Sequence, residues 1–219
     1  AIVQKQWRRS AALIPALEPH HLRASGQHAA ALVIRDNVRH RRDIENAYME
    51  AISHARLEII IANAYFFPGR KFRRALRDAA RRGVRVTLLL QGQVDHLWLH
   101  FASRAFFSQM LLAGITIHEY EQSHLHAKMA VFDQSVATVG SSNIDAFSLL
   151  LAREANLFID SRSFALELHE HLTKEIQAGA RPFTLGDWRE TRLWKKFIVW
   201  IAYGLARLTL GIAGYGNHH

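Results

Sequence analysis

The sequence predicts an α/β domain in which a central, mostly parallel mixed sheet is flanked by helices. Apolar, β-branched runs alternate along the chain with amphipathic segments whose apolar residues recur every three or four positions. Strands that alternate with helices are typical of layered α/β domains. Hydrophobic residues make up 49% and charged residues 21% of the 219 positions, which is enough apolar material for a real core.

The first predicted elements are a short strand, a helix and a buried strand. Residues 30–34 form an apolar run bounded by charge, and residues 42–55 carry apolar side chains at helical spacing. Residues 57–65 (LEIIIANAY) are β-branched and apolar, and Pro68-Gly69 follows them. This pattern predicts a strand buried on both faces that ends before the Pro-Gly pair.

The middle of the chain continues the alternation. Residues 70–82 predict a basic amphipathic helix, with Gly83 at the position where many helices end in a left-handed residue. Residues 84–90 predict a second buried strand, residues 101–113 a helix, and residues 115–120 a further strand.

The last third of the predicted domain begins with a hairpin. Residues 127–132 and 136–139 are short strands joined around Asp133-Gln134, and they precede a strand at 154–159 and a helix at 163–178. We therefore divide the chain into a lead-in at 1–29, a catalytic domain at 30–180, and a basic link with an apolar tail at 181–219.

The net charge of the chain favours anionic partners but does not distinguish between their classes. Lys and Arg number 28 against 19 Asp and Glu, so the net charge is +9, which attracts nucleic acid or anionic lipid. The absence of cysteine excludes disulfides and thiolate metal sites.

One group of polar residues, between positions 126 and 143, has side chains suited to catalysis. His126 and Lys128 share a face if they lie on a strand, and Asp133 and a small-residue run that ends in Ser141 and Asn143 follow at close spacing. An imidazole, an ammonium, a hydroxyl and an amide can together attack or protonate a phosphodiester and neutralise its oxygens. Each residue alone fits an exposed edge strand or an ordinary turn, but the joint pattern favours a site. No carboxylate cluster with metal-ligand spacing accompanies it, so we expect no metal and no other cofactor.

The pattern H-x-K, four residues, D, six residues, G-S-x-N resembles the HKD signature of the phospholipase D superfamily. Its fixed positions are His126, Lys128, Asp133, Gly140, Ser141 and Asn143. Residues 61–69, 79–92 and 137–149 are also similar to the C-terminal half of bacterial cardiolipin synthases, and the resemblance covers roughly residues 33–178. It implies a phospholipase D-like fold and a phosphatidyltransferase that works through a phosphohistidine.

The resemblance also implies roles for the residues. His126 is the catalytic imidazole, as nucleophile or as acid and base, and Lys128 acts with it and binds phosphate oxygens together with Asn143 and Ser141. Asp133 belongs to the catalytic motif, although in the family it is more structural, and we expect it to anchor the turn. Glu154 stands where the family places an acidic residue that orients the imidazole; the alternative is a surface residue at a strand start. Related synthases usually have Asn where this chain has Ala152.

The chain has one such motif, whereas sites of this family resemble two motifs around one phosphate. The second motif is expected from an absent N-terminal half or from a homodimer mate. By resemblance, the donor is phosphatidylglycerol, the acceptor a second phosphatidylglycerol, and the product cardiolipin.

The tail at 194–216 indicates where in the cell the protein is located. Its length approaches the roughly 20 apolar residues that a bilayer requires, and Trp194, Lys195 and Trp200 are typical of an interface. We favour a helix in the headgroup region over a helix packed on protein or a true span. The expected place is peripheral, on the cytoplasmic side of a bacterial inner membrane. The alternatives are a single-motif, dimeric endonuclease, which the apolar tail disfavours, and a non-catalytic half of a larger synthase.

Overall fold

The computed structural model describes residues 28–36, 39–93, 97–145, 153–190 and 193–210, with the backbone alone at 97–100, 193, 195–196 and 206–210. The predicted lead-in at 1–29 lies outside these ranges except for residues 28 and 29, and residues 211–219 of the tail lie outside them too.

Strands and helices alternate along the described chain, as predicted. The strands are β1 (Ala29–Arg35), β2 (Glu58–Asn63), β3 (Phe66–Phe67), β4 (Arg85–Gln91), β5 (Thr116–Tyr120), β6 (Lys128–Phe132), β7 (Val136–Gly140), β8 (Ile144–Asp145), β9 (Glu154–Asp160) and β10 (Ala180–Phe183). The helices are α1 (Asp43–His54), α2 (Arg70–Arg81), α3 (Leu97–Arg104), α4 (Phe107–Leu112), α5 (Arg162–Gly179), α6 (Leu185–Glu190) and α7 (Leu193–Leu210).

The central sheet is mixed, and helices flank it, which confirms the predicted fold class. Its eight strands lie in the order β1-β9-β7-β6-β2-β4-β5-β10, and β3 pairs with β8 in a small separate sheet. The expectation of a mostly parallel sheet is wrong: β4 runs parallel to β2 and β5, but the other five pairings are antiparallel. β6 and β7 form a hairpin, which needs no crossover connection and makes these two strands antiparallel. The hairpin lies in the middle of the sheet, where β6 is also antiparallel to β2 and β7 to β9.

Apolar side chains fill both faces of the sheet. On one face, the ring of Tyr48 lies 5.9 Å from that of Phe72 and 5.5 Å from that of Phe158. On the other face, α5 packs through side chains such as Leu172 against a cluster that includes Val131. Strands buried on both faces explain why β2 and β4 have continuous apolar sequences instead of alternating ones.

The helix predicted at 101–113 is two helices, α3 and α4. Phe106 and Phe107 lie at the break, and each is 3% exposed. Phe106 packs on Phe67, whereas Phe107 packs on Phe183, with ring centroids 5.9 and 5.3 Å apart. Adjacent residues of a continuous helix point about 100° apart, so the break allows both rings to enter the core.

Strand β10 adds an edge to the sheet that we did not predict. It pairs antiparallel with β5 and contains Pro182, which is tolerated at a sheet edge. Its Arg181 reaches inward to Glu119, whose side chain is 3% exposed, with Nη2 3.0 Å from Oε2. The expected boundary at residue 180 therefore falls inside this strand, and the sheet continues to Phe183.

Helix α7 packs on the domain with one face and is open on the other. Val199 and Ala202 are buried, and the ring of Tyr203 lies 5.9 Å from that of Phe67. The outward face consists of large apolar side chains between 45% and 66% exposed: Trp194, Phe197, Trp200, Ile201 and Leu205. No helix among the described residues is both long enough and apolar enough to cross a membrane.

Candidate active site

Three strands bring most of the motif residues to one end of the sheet. Lys128 begins β6, with His126 two residues before it, and Glu154 begins β9. Gly140 ends β7, and Ser141 follows directly. Because β7 is antiparallel to both β6 and β9, its end lies beside their beginnings.

His126 and Lys128 are in direct contact. The ammonium Nζ of Lys128 lies 3.2 Å from Nε2 of the imidazole and donates to the backbone carbonyl of His126 at 3.3 Å. An ammonium only donates, so Nε2 is the acceptor and presents its lone pair toward Lys128. His126 is exposed and Lys128 is 7% exposed. The imidazole is therefore accessible to a substrate, and the charge beside it is sheltered from water.

Burial and two carboxylates set the protonation of Lys128. Burial lowers its pKa from the usual 10.5, and the negative charges of Glu154 and Asp145 act in the opposite direction. A cation held in a poorly solvated place interacts strongly with an incoming anion. The site thus holds one sheltered cation, with two carboxylates near it, where we expect a phosphate to bind.

The loop that carries His126 is held by Gln91, the last residue of β4. Its Oε1 accepts a hydrogen bond from the backbone of Leu125 at 2.8 Å, and its Nε2 lies 3.0 Å from Nδ1 of His124. Gln91 is 9% exposed. One buried amide therefore fixes the two residues before His126.

Ser141 and Glu154 are bonded to each other. The hydroxyl of Ser141 donates to Oε2 of Glu154 and accepts from the backbone of Ala155 at 3.1 Å. The predicted bond from Glu154 to the imidazole is not among the hydrogen bonds of the described residues. The orienting role of Glu154 for His126 therefore stays a prediction.

Two buried asparagines present Asn143. Oδ1 of Asn156 accepts from the backbone of Ser142, and Oδ1 of Asn63 accepts from that of Ile144, both at 3.2 Å. Within the described residues, the Oδ1 atom of Asn143 is buried without a hydrogen-bond partner. The backbone on both sides of Asn143 is thus fixed, while the Oδ1 atom of its side chain is an acceptor that no described residue uses.

Gly140 is required by this arrangement. A Cβ atom at this position would overlap the carbonyl oxygen of Ala155 and the side chain of Asn156. The glycine of the G-S-x-N run therefore permits close packing of β7 on β9.

Asp133 lies at the opposite end of β6. Its carboxylate accepts hydrogen bonds from the backbones of Arg56, Leu57 and Glu58, at 2.8, 2.8 and 2.9 Å. It adopts a φ of 51° in the β6–β7 turn, a conformation that Asp tolerates better than most residues. Five residues of strand, about 17 Å, separate it from Lys128, so the geometry gives Asp133 a structural role and removes it from the group that contacts substrate.

Three buried amides of the site were missed in the sequence: Asn63, Gln91 and Asn156. Asn63 and Gln91 end apolar strands, and Asn156 interrupts one. A polar amide in an otherwise buried strand is the signal that could have found them, since such a group needs a specific partner.

Comparison with known proteins identifies the family of this chain. Residues 48–177 match the family described as "Cardiolipin synthase, PLD-like domain". The chain is 46% identical over 156 residues to cardiolipin synthase B of Escherichia coli K12, covering 71% of this chain and 38% of that protein. It is 32% identical over 151 residues to the major cardiolipin synthase of Bacillus subtilis, covering 69% and 31%. The chain thus spans less than two fifths of the length of these relatives.

Solved structures share the fold. Phosphatidylserine synthase of Haemophilus influenzae superposes with a TM-score of 0.64 at 12% identity, over 86% of this chain and 47% of that one. Nuc of Salmonella typhimurium, a phospholipase D family member, has a TM-score of 0.57 at 18% identity, over 72% of this chain and 99% of that one. The family match over residues 48–177 shows that the chain belongs to the cardiolipin synthase family of phospholipase D-like domains.

Proposed function

We propose that the chain supplies one motif of a phosphatidyl-transfer site that makes cardiolipin from phosphatidylglycerol. The observation that carries the proposal is the contact between Nε2 of His126 and the buried ammonium of Lys128. It places the exposed imidazole of His126 beside a cation that can hold a phosphate oxygen. Family membership supports the phosphodiester as the reacting group.

The transfer has two steps. An imidazole nitrogen attacks the phosphorus of the donor, the bond from phosphorus to the glycerol oxygen breaks, and a second imidazole protonates the leaving glycerol. The hydroxyl of the acceptor phosphatidylglycerol then attacks phosphorus, gives its proton to the second imidazole, and breaks the bond from phosphorus to nitrogen. His126 is one of the two imidazoles.

The other residues stabilise charge on the phosphorus oxygens. We assign Lys128 and the amide of Asn143 to the non-bridging oxygens, with the hydroxyl of Ser141 assisting when a substrate oxygen replaces Glu154 as the acceptor of its proton. Glu154 holds that hydroxyl and, when substrate is bound, orients the imidazole. Asp133 acts through the turn.

The second imidazole comes from outside this chain's motif. The sequence contains one H-x-K with the required spacing. A second copy of the chain, or the further part of a longer protein, would bring the other motif to the same phosphate. The relatives' greater length supports the second arrangement.

The substrate's location requires membrane contact, and α7 suits it. Its outward face is apolar, and Tyr203 on its inner face lies 3.4 Å from Arg73 of the basic helix α2. An apolar helix beside basic side chains favours the surface of an anionic bilayer. We therefore place the protein peripherally on the cytoplasmic side of a bacterial inner membrane.

The experiment is a product assay in the presence of EDTA. The protein is incubated with phosphatidylglycerol vesicles in one tube and with plasmid DNA in another, alone and with a second motif supplied by the N-terminal part of a full-length relative. Cardiolipin and free glycerol are the expected products. Nicked DNA with no lipid product would replace this proposal with a nuclease.

A further inference from the structure

Asn63 lies beside Lys128 at the end of the sheet. It is the last residue of β2, is fully buried, and stands directly opposite Lys128 in the antiparallel β2–β6 pair. Directly opposed residues point to the same face, with Cβ atoms about 5 Å apart. The amide of Asn63 and the ammonium of Lys128 therefore share one small region.

The orientation of the Asn63 amide is fixed by its neighbour. The backbone N–H of Ile144 donates to it at 3.2 Å, which requires the carbonyl oxygen Oδ1 on that side. The amide nitrogen Nδ2 consequently points elsewhere. Within the described residues, Nδ2 is buried and has no hydrogen-bond partner.

Asn156 shows what a purely structural asparagine looks like here. It is also fully buried, and its Oδ1 accepts from the backbone of Ser142. Its Nδ2, however, donates to the hydroxyl of Thr138 at 3.3 Å. Both ends of Asn156 are used by the fold, whereas the fold uses only one end of Asn63.

A buried donor without an acceptor is uncommon and unfavourable. Nearby, Lys128 offers further donors and no acceptor. An anionic oxygen would satisfy both groups at once, because preorganised donors that converge in a dry site stabilise negative charge.

We propose that Asn63 is a further phosphate ligand, whose Nδ2 donates to a non-bridging oxygen beside Lys128. That the anion is a phosphodiester rests on the proposed function. That the site binds a phosphate oxygen rests on Asn63 and Lys128 themselves. An experiment can therefore contradict the phosphodiester substrate without contradicting the phosphate site, and the reverse.

The test measures binding of inorganic phosphate to the full chain by calorimetry, which requires no lipid and no second motif. Asn63→Asp keeps an oxygen for the Ile144 N–H, removes the donor and adds a negative charge beside Lys128, so we expect affinity to fall at least about tenfold. Asn63→Ser, whose hydroxyl can accept from Ile144, removes the amide donor without adding a charge, and its affinity should also fall if loss of the donor is the cause. Asn46→Asp, the same change at an exposed position of α1, should change affinity less than about twofold.

A double variant separates a direct ligand from an indirect one. If Asn63 binds phosphate itself, Asn63→Asp combined with Asn143→Ala binds phosphate more weakly than Asn143→Ala alone, although two ligands of one anion are not expected to be strictly additive. If the double variant is no weaker than Asn143→Ala alone, Asn63 only positions Asn143, and the proposal is overturned. It is also overturned if the wild type does not bind phosphate, or if Asn63→Asp binds it as tightly. Phosphate binding without cardiolipin formation would leave the anion site standing and remove the proposed reaction.

Discussion

The hydroxyl of Ser141 donates to Oε2 of Glu154, which joins the end of β7 to the start of β9 beside the buried ammonium of Lys128. The bond holds the Glu154 carboxylate at the rim of the site. Its negative charge raises the pKa of Lys128, against the larger effect of burial. Ser141 therefore acts on the protonation of Lys128, for which we propose phosphate binding, through the position of the Glu154 carboxylate.

Replacing Glu154 should move the alkaline limit of phosphate binding. Binding needs the ammonium form of Lys128, which is lost as pH rises through its pKa, and burial holds that pKa below 10.5. Glu154→Gln removes a charge that raises this pKa, so loss of binding should begin at a lower pH than in the wild type. The measurement is phosphate affinity against pH.

Ser141→Ala is the matched control, because it removes the hydrogen bond and keeps the carboxylate. Its affinity should fall at every pH, while the pH midpoint moves less than in Glu154→Gln. A midpoint that stays fixed in Glu154→Gln, or rises, would contradict the assignment.

Removing the Gln91 side chain that holds the His126 loop should lower the rate of the reaction while the protein stays folded. Gln91→Leu removes the groups that hold Leu125 and His124, and misplacing a catalytic group by about 1 Å can cost about 100-fold in rate. We expect kcat for cardiolipin formation to fall about ten- to hundredfold, with a smaller change in KM.

Gln93→Leu provides the comparison. The amide of Gln93 donates to the backbone of Glu121 at 2.9 Å, and among the described residues it makes no hydrogen bond to the His126 loop. Equal loss of kcat in both variants would show that Gln91 has no special positioning role.

Adding one methyl group at Gly140 should destabilise the domain. The new Cβ would overlap Asn156 and the Ala155 carbonyl, and overpacking of this kind costs about 1–3 kcal/mol. Gly204→Ala in α7 meets no atom within 4 Å and should be neutral or stabilising by up to about 1 kcal/mol. Urea denaturation measures both, and a Gly140→Ala protein as stable as the wild type would refute the packing argument.

Removing the outward apolar face of α7 should weaken vesicle binding. The triple change Phe197→Ser, Trp200→Ser and Leu205→Ser affects exposed side chains, so the fold should persist. Binding to phosphatidylglycerol vesicles, measured by sedimentation, should fall at least about tenfold because apolar area drives insertion. Leu57→Ser, an exposed apolar residue beside the distant Asp133 turn, should bind as the wild type does. Equal binding by the triple variant would exclude α7 as the contact.

Replacing Asp133 should lower the stability of the fold without changing phosphate binding. Its carboxylate accepts three backbone hydrogen bonds from residues 56–58. Asp133→Asn removes the charge and one acceptor oxygen, so the free energy of unfolding should fall by about 1–3 kcal/mol. Phosphate affinity of the folded protein should be unchanged within about twofold, since the site lies at the other end of β6. A larger loss of affinity would return Asp133 to the binding site.

The positions of strands and helices could be predicted because hydrophobic periodicity and the Gly and Pro residues that end these elements are local properties of the sequence. Gly83 adopts a φ angle of 90° where a predicted helix ends, as its sequence position indicated. Strand direction depends on which strands become neighbours, which a local pattern does not contain. The break at Phe106 and the edge strand β10 likewise depend on packing partners far along the chain.

The motif residues could be predicted because their spacing follows from a strand, a turn and a strand. The supporting amides could not, since Asn63 and Asn156 meet the Asn143 segment only after β2, β8 and β9 come together. Glu154 was placed correctly at a strand start, but its bond to Ser141 depends on the β7–β9 register.

The most direct test compares His126→Ala with Asp133→Asn in cardiolipin formation from phosphatidylglycerol, at temperatures where both are folded. The assay contains EDTA and includes the second motif if the wild-type chain needs it. Loss of the imidazole should lower the initial rate at least about 1,000-fold, while Asp133→Asn should keep it within about threefold. Wild-type activity in His126→Ala, or an equal loss in both variants, would contradict a catalytic role for His126 and with it the central claim.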